Sequence, residues 1–412
     1  MRLNSQQGLF RDVLRSFSES NALKPDRLTG LSPRQWRRFL HWLDISGLAL
    51  YFLEQTTQRG LTSAFPPPVL KRLQGDLNDN IQRTGGLVRE SVAIQHAFQK
   101  ARLRYSVMKG ISLTPLSVPH PELRHQFDLD YLVSVEGAPM ARQILEQRGY
   151  RLYANKGATW EFKIHESPYV SVRDFYKDLP YRTVELHMEP ESKAKESRLD
   201  RIVYREMFGV TMPVLSPEDL FLGQAMHAFK DVCNAFVRVS HLLEFYRHVC
   251  ARRHDDEFWN GLRARDEEDR RCCFGIGIVI GLLTAIMGEF APRALSVWTA
   301  DRLPGWAQLW IELYGQRAVF SEHPGTKLYL LLQRELEASG IPAIRPWKKS
   351  LLPSQLPTTV VREETGETFT TKLARYKIQV RFVFSRIRFH LVEGLRYAME
   401  SRRWGQHLDS QS

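Results

Sequence analysis

Asp128 and Asp130 stand one residue apart in the run Phe127-Asp-Leu-Asp-Tyr-Leu-Val133, whose alternation of polar and apolar residues predicts a strand. Residues two apart on a strand point to the same face, so the two carboxylates are aimed together. Such a pair repels itself unless something positive sits between its members. A divalent cation meets that need, and Mg²⁺ is commonly held by one or two carboxylates together with substrate phosphate oxygens. The spacing therefore points to phosphoryl or nucleotidyl transfer.

The elements that must position this pair follow from periodicity. From Pro33 to Gln58 apolar residues recur at helical spacing, until Phe65-Pro-Pro-Pro68 breaks the pattern. Val69 to Ala101 then reads as one helix, interrupted or bent at Gly85-Gly86. The period next shortens: Tyr105 to Lys109, Asp128 to Val133, Trp160 to Ile164 and Thr183 to His187 are β-rich. Between the second and third lies a helix from Pro139, closed at Gly149 and followed by Tyr150-Arg-Leu-Tyr. After Pro213 helical spacing returns, opening with the capping start Ser216-Pro-Glu-Asp219 and continuing to Ala338. Gly340 to Leu356 reads as a proline-rich linker. The expected organisation is a helical N-terminal region over 1–100, an α/β core over 101–212, a helical domain over 213–345, and a linker with a basic tail over 346–412.

Composition narrows the class of protein. With 43% hydrophobic and 25% charged residues, the 412-residue chain is globular. No apolar leader follows the N-terminus, and Phe274 to Met287, interrupted by three glycines, reads as a buried helix too short to span a bilayer. Cys233, Cys250, Cys272 and Cys273 lack metal-ligand spacing, which predicts reduced thiols and a cytoplasmic location. The 58 Lys and Arg against 46 acids give a net charge of +12, favouring polyanionic partners. The charge is most one-signed from Lys372 to Trp404, where nine bases face Glu393 and Glu400 and alternate with large apolar residues. This tail reads as a helix laid on the protein's own surface; the alternative is contact with an anionic membrane surface, making the protein peripheral there, or with nucleic acid.

Taken together, Val107-Met-Lys109-Gly110, Arg124, Asp128-Leu-Asp130, Gly149-Tyr150 and Val184-Glu185-Leu-His187 resemble the uncharacterised nucleotidyltransferase family of bacterial genomes. That family belongs to the DNA polymerase β-like superfamily, and the similarity spans roughly residues 30 to 290. The superfamily's usual Gly-Ser pair is replaced by Lys109-Gly110 with Ser112 nearby, its third carboxylate is Glu185, and Met188 stands where Trp is common. The resemblance implies an α+β fold with a polymerase β-like nucleotidyltransferase α/β core between helical regions. It implies Asp128, Asp130 and Glu185 as the metal-holding, catalytic acids, with Mg²⁺ or Mn²⁺ and an NTP as substrate.

Beside these acids, Lys109 could meet a phosphate as a point charge while Gly110 admits close backbone approach, or Lys109 could be a solvated turn residue. Arg124 could clamp a phosphate bidentately or pair with the aspartates. Lys109, Gly110, Ser112 and Arg124 form the expected triphosphate-binding set. His187 shares a strand face with Glu185 and reads as a hydrogen-bonded structural histidine rather than a ligand; His227 and His241 read as helix residues. The expected activity is transfer of a nucleoside monophosphate from an NTP to an acceptor, which the sequence leaves open among a small molecule, a sugar, a peptide and a protein. The alternative is a non-catalytic nucleotide- or partner-binding protein on the same fold. Oligomeric state is not legible.

Overall fold

The computed structural model describes residues 4–18, 23–165, 171–189, 197–342, 347–351 and 368–410. The fold is α+β, a central mixed sheet with helical regions. Packing divides the chain into two compact units, one of Ala49–Ser167 with Val172–Gln224, the other made of the chain before Ala49 and from Ala225 onward.

The first unit carries a seven-stranded sheet. Its strands are β1 (Tyr105–Met108), β2 (Asp128–Ser134), β3 (Arg151–Asn155), β4 (Thr159–Ile164), β5 (Arg182–Glu189), β6 (Val203–Met207) and β7 (Val210–Val214), in spatial order β3-β4-β5-β2-β1-β7-β6. The β6–β7 hairpin lies outside the expected strands. Its two-residue turn, Phe208-Gly209, has φ of 53° and 77°, the conformation that matches the right-handed twist of paired strands.

Over the sheet lies the helix Pro67–Lys100, which starts where three prolines end the preceding pattern. It runs through Gly85 and Gly86 without the expected interruption. A Cβ at Gly86 would sit 2.9 Å from Arg182 Nη2 and 3.3 Å from the Asp178 carboxylate, so the glycine makes room for that ion pair instead of breaking the helix. Leu87, Ile94 and Phe98 on this helix pack with Tyr105, Leu129, Tyr131 and Val133 from the sheet. Each fully buried side chain of this kind contributes about 1.5 to 3 kcal/mol. Tyr131 keeps its hydroxyl satisfied at 3.0 Å from Ser91 Oγ.

The second unit is helical. At its N-terminal side, Ser32 and Gln35 cap the helix Pro33–Ser46 reciprocally, and Gly47 ends it with φ of 76°. Arg270–Met287 is the described helix long and apolar enough to cross a membrane by length and composition, but it is mostly buried within the protein. Its glycines allow close packing: a Cβ at Gly277 would lie 2.9 Å from the Thr299 carbonyl oxygen. The expected linker Gly340 to Leu356 falls partly outside the described residues. The basic tail forms one helix, Phe369–Asp409, whose buried residues begin at Phe389. All four cysteines are free thiols.

Candidate active site

The central strand β2 pairs antiparallel with β1 and parallel with β5. Leu129, Tyr131 and Val133 enter the core beneath the long helix, which turns Asp128 and Asp130 to the other face. Register then assembles the acids. Asp130 aligns with Glu185 on β5 and with Met108, the last residue of β1, while His187 follows two residues beyond Glu185 on the same face.

Asp130 is 4% exposed, and its Oδ1 accepts hydrogen bonds from His187 Nε2 at 2.8 Å and Lys109 Nζ at 3.2 Å. His187 Nε2 also lies 3.4 Å from Glu185 Oε2, and its Nδ1 lies 3.4 Å from the Thr159 hydroxyl. One imidazole thus ties two carboxylates on neighbouring strands. Burial opposes the charged form of Asp130, but the His187 and Lys109 hydrogen bonds outweigh it and hold the carboxyl below its ordinary range. Burial also opposes the charged form of His187, and its bonds to Asp130 and Glu185 raise its pKa nonetheless.

Asp128 has the opposite balance. Its carboxylate makes no hydrogen bond or ion pair among the described residues. Burial first, then the charges of Asp130 and Glu185, push it up to about 6 against the pull of Arg124 and Lys109. An uncompensated, partly buried acid beside two others is where a cation gains most.

The turn after β1 shapes the approach. Lys109 has φ of 49° and ψ of −159°, an uncommon conformation that costs a non-glycine residue about 1 to 3 kcal/mol. Gly110 follows at φ 50°, and a Cβ there would come within 2.2 Å of Gln126 Nε2. That amide donates to the Asp128 carbonyl at 2.5 Å, so the turn and the start of β2 are locked together. Ser112 is buried with its hydroxyl donating to the Lys109 carbonyl at 2.8 Å, which places it as a brace for the turn. Arg124 lines a small cleft with Gly110 and Gln126. Lys109, Asp130, Glu185 and His187 therefore form one connected cluster, with Asp128 and Arg124 beside it.

His187 and Gln126 are the members that residue spacing alone did not select. Same-face spacing from Glu185 was the available signal for His187; Gln126 has none, because its role depends on the fold of the turn. Asp130, Glu185 and His187 each offer a donor atom, all within 4.8 Å of one another. With the unsatisfied Asp128, this oxygen-rich set suits a hard divalent cation that shares its remaining positions with substrate oxygens.

A second group of metal-binding residue types lies in the helical unit, where His227, Asp231 and His241 come together. His241 Nδ1 is 2.6 Å from Asp231 Oδ2, and the charges of Arg238 and Lys230 act on the same carboxylate. Burial nevertheless pushes the Asp231 carboxyl up to about 6, against the charges of His227, Arg238 and Lys230.

A mixed sheet presenting acids from adjacent strands, with a Lys-Gly turn above them, is the core of a polymerase β-like nucleotidyltransferase. Residues 32–270 match the family described as uncharacterised nucleotidyltransferase, and the chain belongs to that family. The family implies a nucleotide substrate and a divalent metal. No curated protein matches the chain.

Proposed function

We propose that this protein is a divalent-cation-dependent nucleotidyltransferase that moves a nucleoside monophosphate from an NTP to an acceptor. The observation that carries this reading is the β2–β5 register, which sets Asp130 beside Glu185 with Asp128 uncompensated on the same face. Asp128, Asp130 and Glu185 would hold Mg²⁺ or Mn²⁺. When bound, the cation would neutralise charge on the phosphate oxygens and lower the pKa of the attacking group.

The chain's own residues do the rest. Lys109 and Arg124 receive the triphosphate, and Gly110 lets backbone come close to it. An acceptor lone pair attacks the α-phosphorus, the bond from that phosphorus to the bridging oxygen breaks, and pyrophosphate leaves. Glu185 orients the acceptor and takes its proton. His187, bonded to both Asp130 and Glu185, keeps the two acids at a fixed spacing before substrate arrives. Preorganisation of this kind supplies most of the stabilisation of charge that develops in transfer.

The test is incubation with each α-labelled NTP and Mg²⁺ or Mn²⁺ in cell extract. Label should enter an acceptor with wild-type protein and not with Asp130→Asn. Labelling from γ-labelled NTP alone would mean phosphotransfer, and no labelling under any condition would favour a binding protein.

A further inference from the structure

The C-terminal helix has two halves with different surroundings. From Phe389 onward one face is buried in the helical unit, whereas between Phe369 and Arg388 no side chain is buried. Along the opposite face runs an apolar stripe in water: Leu373, Tyr376, Val380, Phe384, Ile387 and Leu391, at intervals of three and four residues. Phe369 and Leu395 extend it at the two ends, 81% and 68% exposed, while Phe384 in the middle is 69% exposed. Continuous apolar surface of this length is rare on a protein without a partner for it.

Period and charge identify the partner. Leu373 recurs eleven residues later as Phe384, Tyr376 as Ile387 and Val380 as Leu391. Eleven residues make about three turns of an α-helix, with a drift of only about 20° per repeat, so the stripe stays on one side over about 40 Å. It does not follow the seven-residue repeat of a left-handed coiled coil. Between Phe369 and Val392 there are six bases, Lys372, Arg375, Lys377, Arg381, Arg386 and Arg388, and no acid. Two copies of this face would bring like charges together. Lys377, Arg381 and Arg388 flank the stripe on one side, where long stems can cover apolar surface while their charges reach outward.

We propose that this face of the C-terminal helix lies in the headgroup region of an anionic lipid bilayer, parallel to the membrane plane. Phe369, Tyr376 and Phe384 enter the boundary of the acyl chains, and the flanking bases contact lipid phosphates. The packed C-terminal half holds the helix to the helical unit, so the lipid contact recruits the protein without a membrane-spanning segment.

Flotation of the full chain with lipid vesicles tests this. Wild-type protein should float with vesicles of phosphatidylcholine and phosphatidylglycerol in equal parts, not with phosphatidylcholine alone, and should be released progressively as NaCl rises. Phe384→Glu with Leu391→Glu should weaken binding by roughly tenfold or more, because two large apolar contacts are lost, while melting temperature stays at the wild-type value. Lys377→Glu with Arg381→Glu and Arg388→Glu should also weaken binding and remove its salt dependence. The proposal is overturned if wild type stays unbound to the anionic vesicles, including the case where it binds an oligonucleotide instead. It is equally overturned if the stripe variant floats like wild type, or if light scattering shows a dimer that the stripe variant dissociates.

Discussion

At the scale of single residues, the site turns on the contrast between Asp130, held charged by Lys109 and His187, and Asp128, pushed up to about 6 by burial and neighbouring acids. In the unfolded chain Asp128 titrates in the ordinary carboxylate range, so between that range and about 6 the folded state binds the proton more tightly. Stability accordingly falls as pH rises through this window, and the full penalty is present at neutral pH. Asp128→Asn should therefore raise stability at pH 7 without added metal, by on the order of 1 to 3 kcal/mol, while abolishing transfer. Thermal melts with and without Mg²⁺ check this: the cation should raise the melting temperature of wild type and leave the variant unchanged. The same titration predicts that Mg²⁺ affinity drops as pH is lowered through 6, since the cation must displace a proton from Asp128; flat calorimetric affinity from pH 5 to 8 would remove Asp128 from the ligand set. Lys109→Ala and Arg124→Ala act on the other partner. Each should weaken binding of a non-hydrolysable NTP by about 1.5 to 3 kcal/mol, and equal loss of metal affinity would assign them to holding the acids instead.

The elements decide how those residues meet. Alternation in Phe127 to Val133 was enough to predict β2 and the shared face of its acids, and Glu185-Leu-His187 likewise announced β5. Their pairing was not legible, because register is a property of two strands and is written in neither alone. The hairpin β6–β7 escaped for a different reason. Val203–Met207 is half-exposed and carries Arg205 and Glu206, so its apolar signal is thin, and Pro213 reads as a break. In the structure β7 meets β1 at Val107 with Val214, which leaves Pro213 clear of that ladder. Gly85-Gly86 erred in the opposite direction as a point of interruption: the helix runs unbroken from Pro67 to Lys100, the local cost of two glycines yielding to packing along its length. Gly110, read from the sequence as allowing close approach of backbone to phosphate, has in the structure a packing role against Gln126. Gly110→Ala would set a methyl group against Gln126 in a backbone conformation that favours glycine, pulling Gln126 from the Asp128 carbonyl. The expected result is loss of stability of about 1 to 3 kcal/mol and a fall in kcat that Gln126→Ala partly relieves; a variant as active as wild type would show that the lock between turn and strand is dispensable.

For the molecule as a whole, the basic tail shows how one helix can answer two demands. Sequence reading favoured packing because so many apolar groups cannot stay in water, and that argument holds for the half beginning at Phe389. There Trp404 is fully buried with its Nε1 donating to Glu335 at 2.9 Å. Two buried acids on the same face are also satisfied: Glu393 accepts from Thr326 Oγ1 at 2.8 Å and the Lys327 amide at 3.2 Å, and Glu400 from Tyr314 at 3.2 Å. Since an unpaired buried charge is strongly destabilising, these partners fix where the helix seats on its unit. In the preceding half, Phe369 to Arg388, no side chain is buried. Trp404→Ala should thus lower stability by about 3 to 5 kcal/mol, from lost burial and the lost hydrogen bond to Glu335, whereas Phe384→Ser should stay within about 0.5 kcal/mol of wild type. Chemical denaturation of the two variants side by side measures the contrast. Comparable losses would mean that the Phe384 face is covered within the folded chain and that the helix serves one purpose along its length.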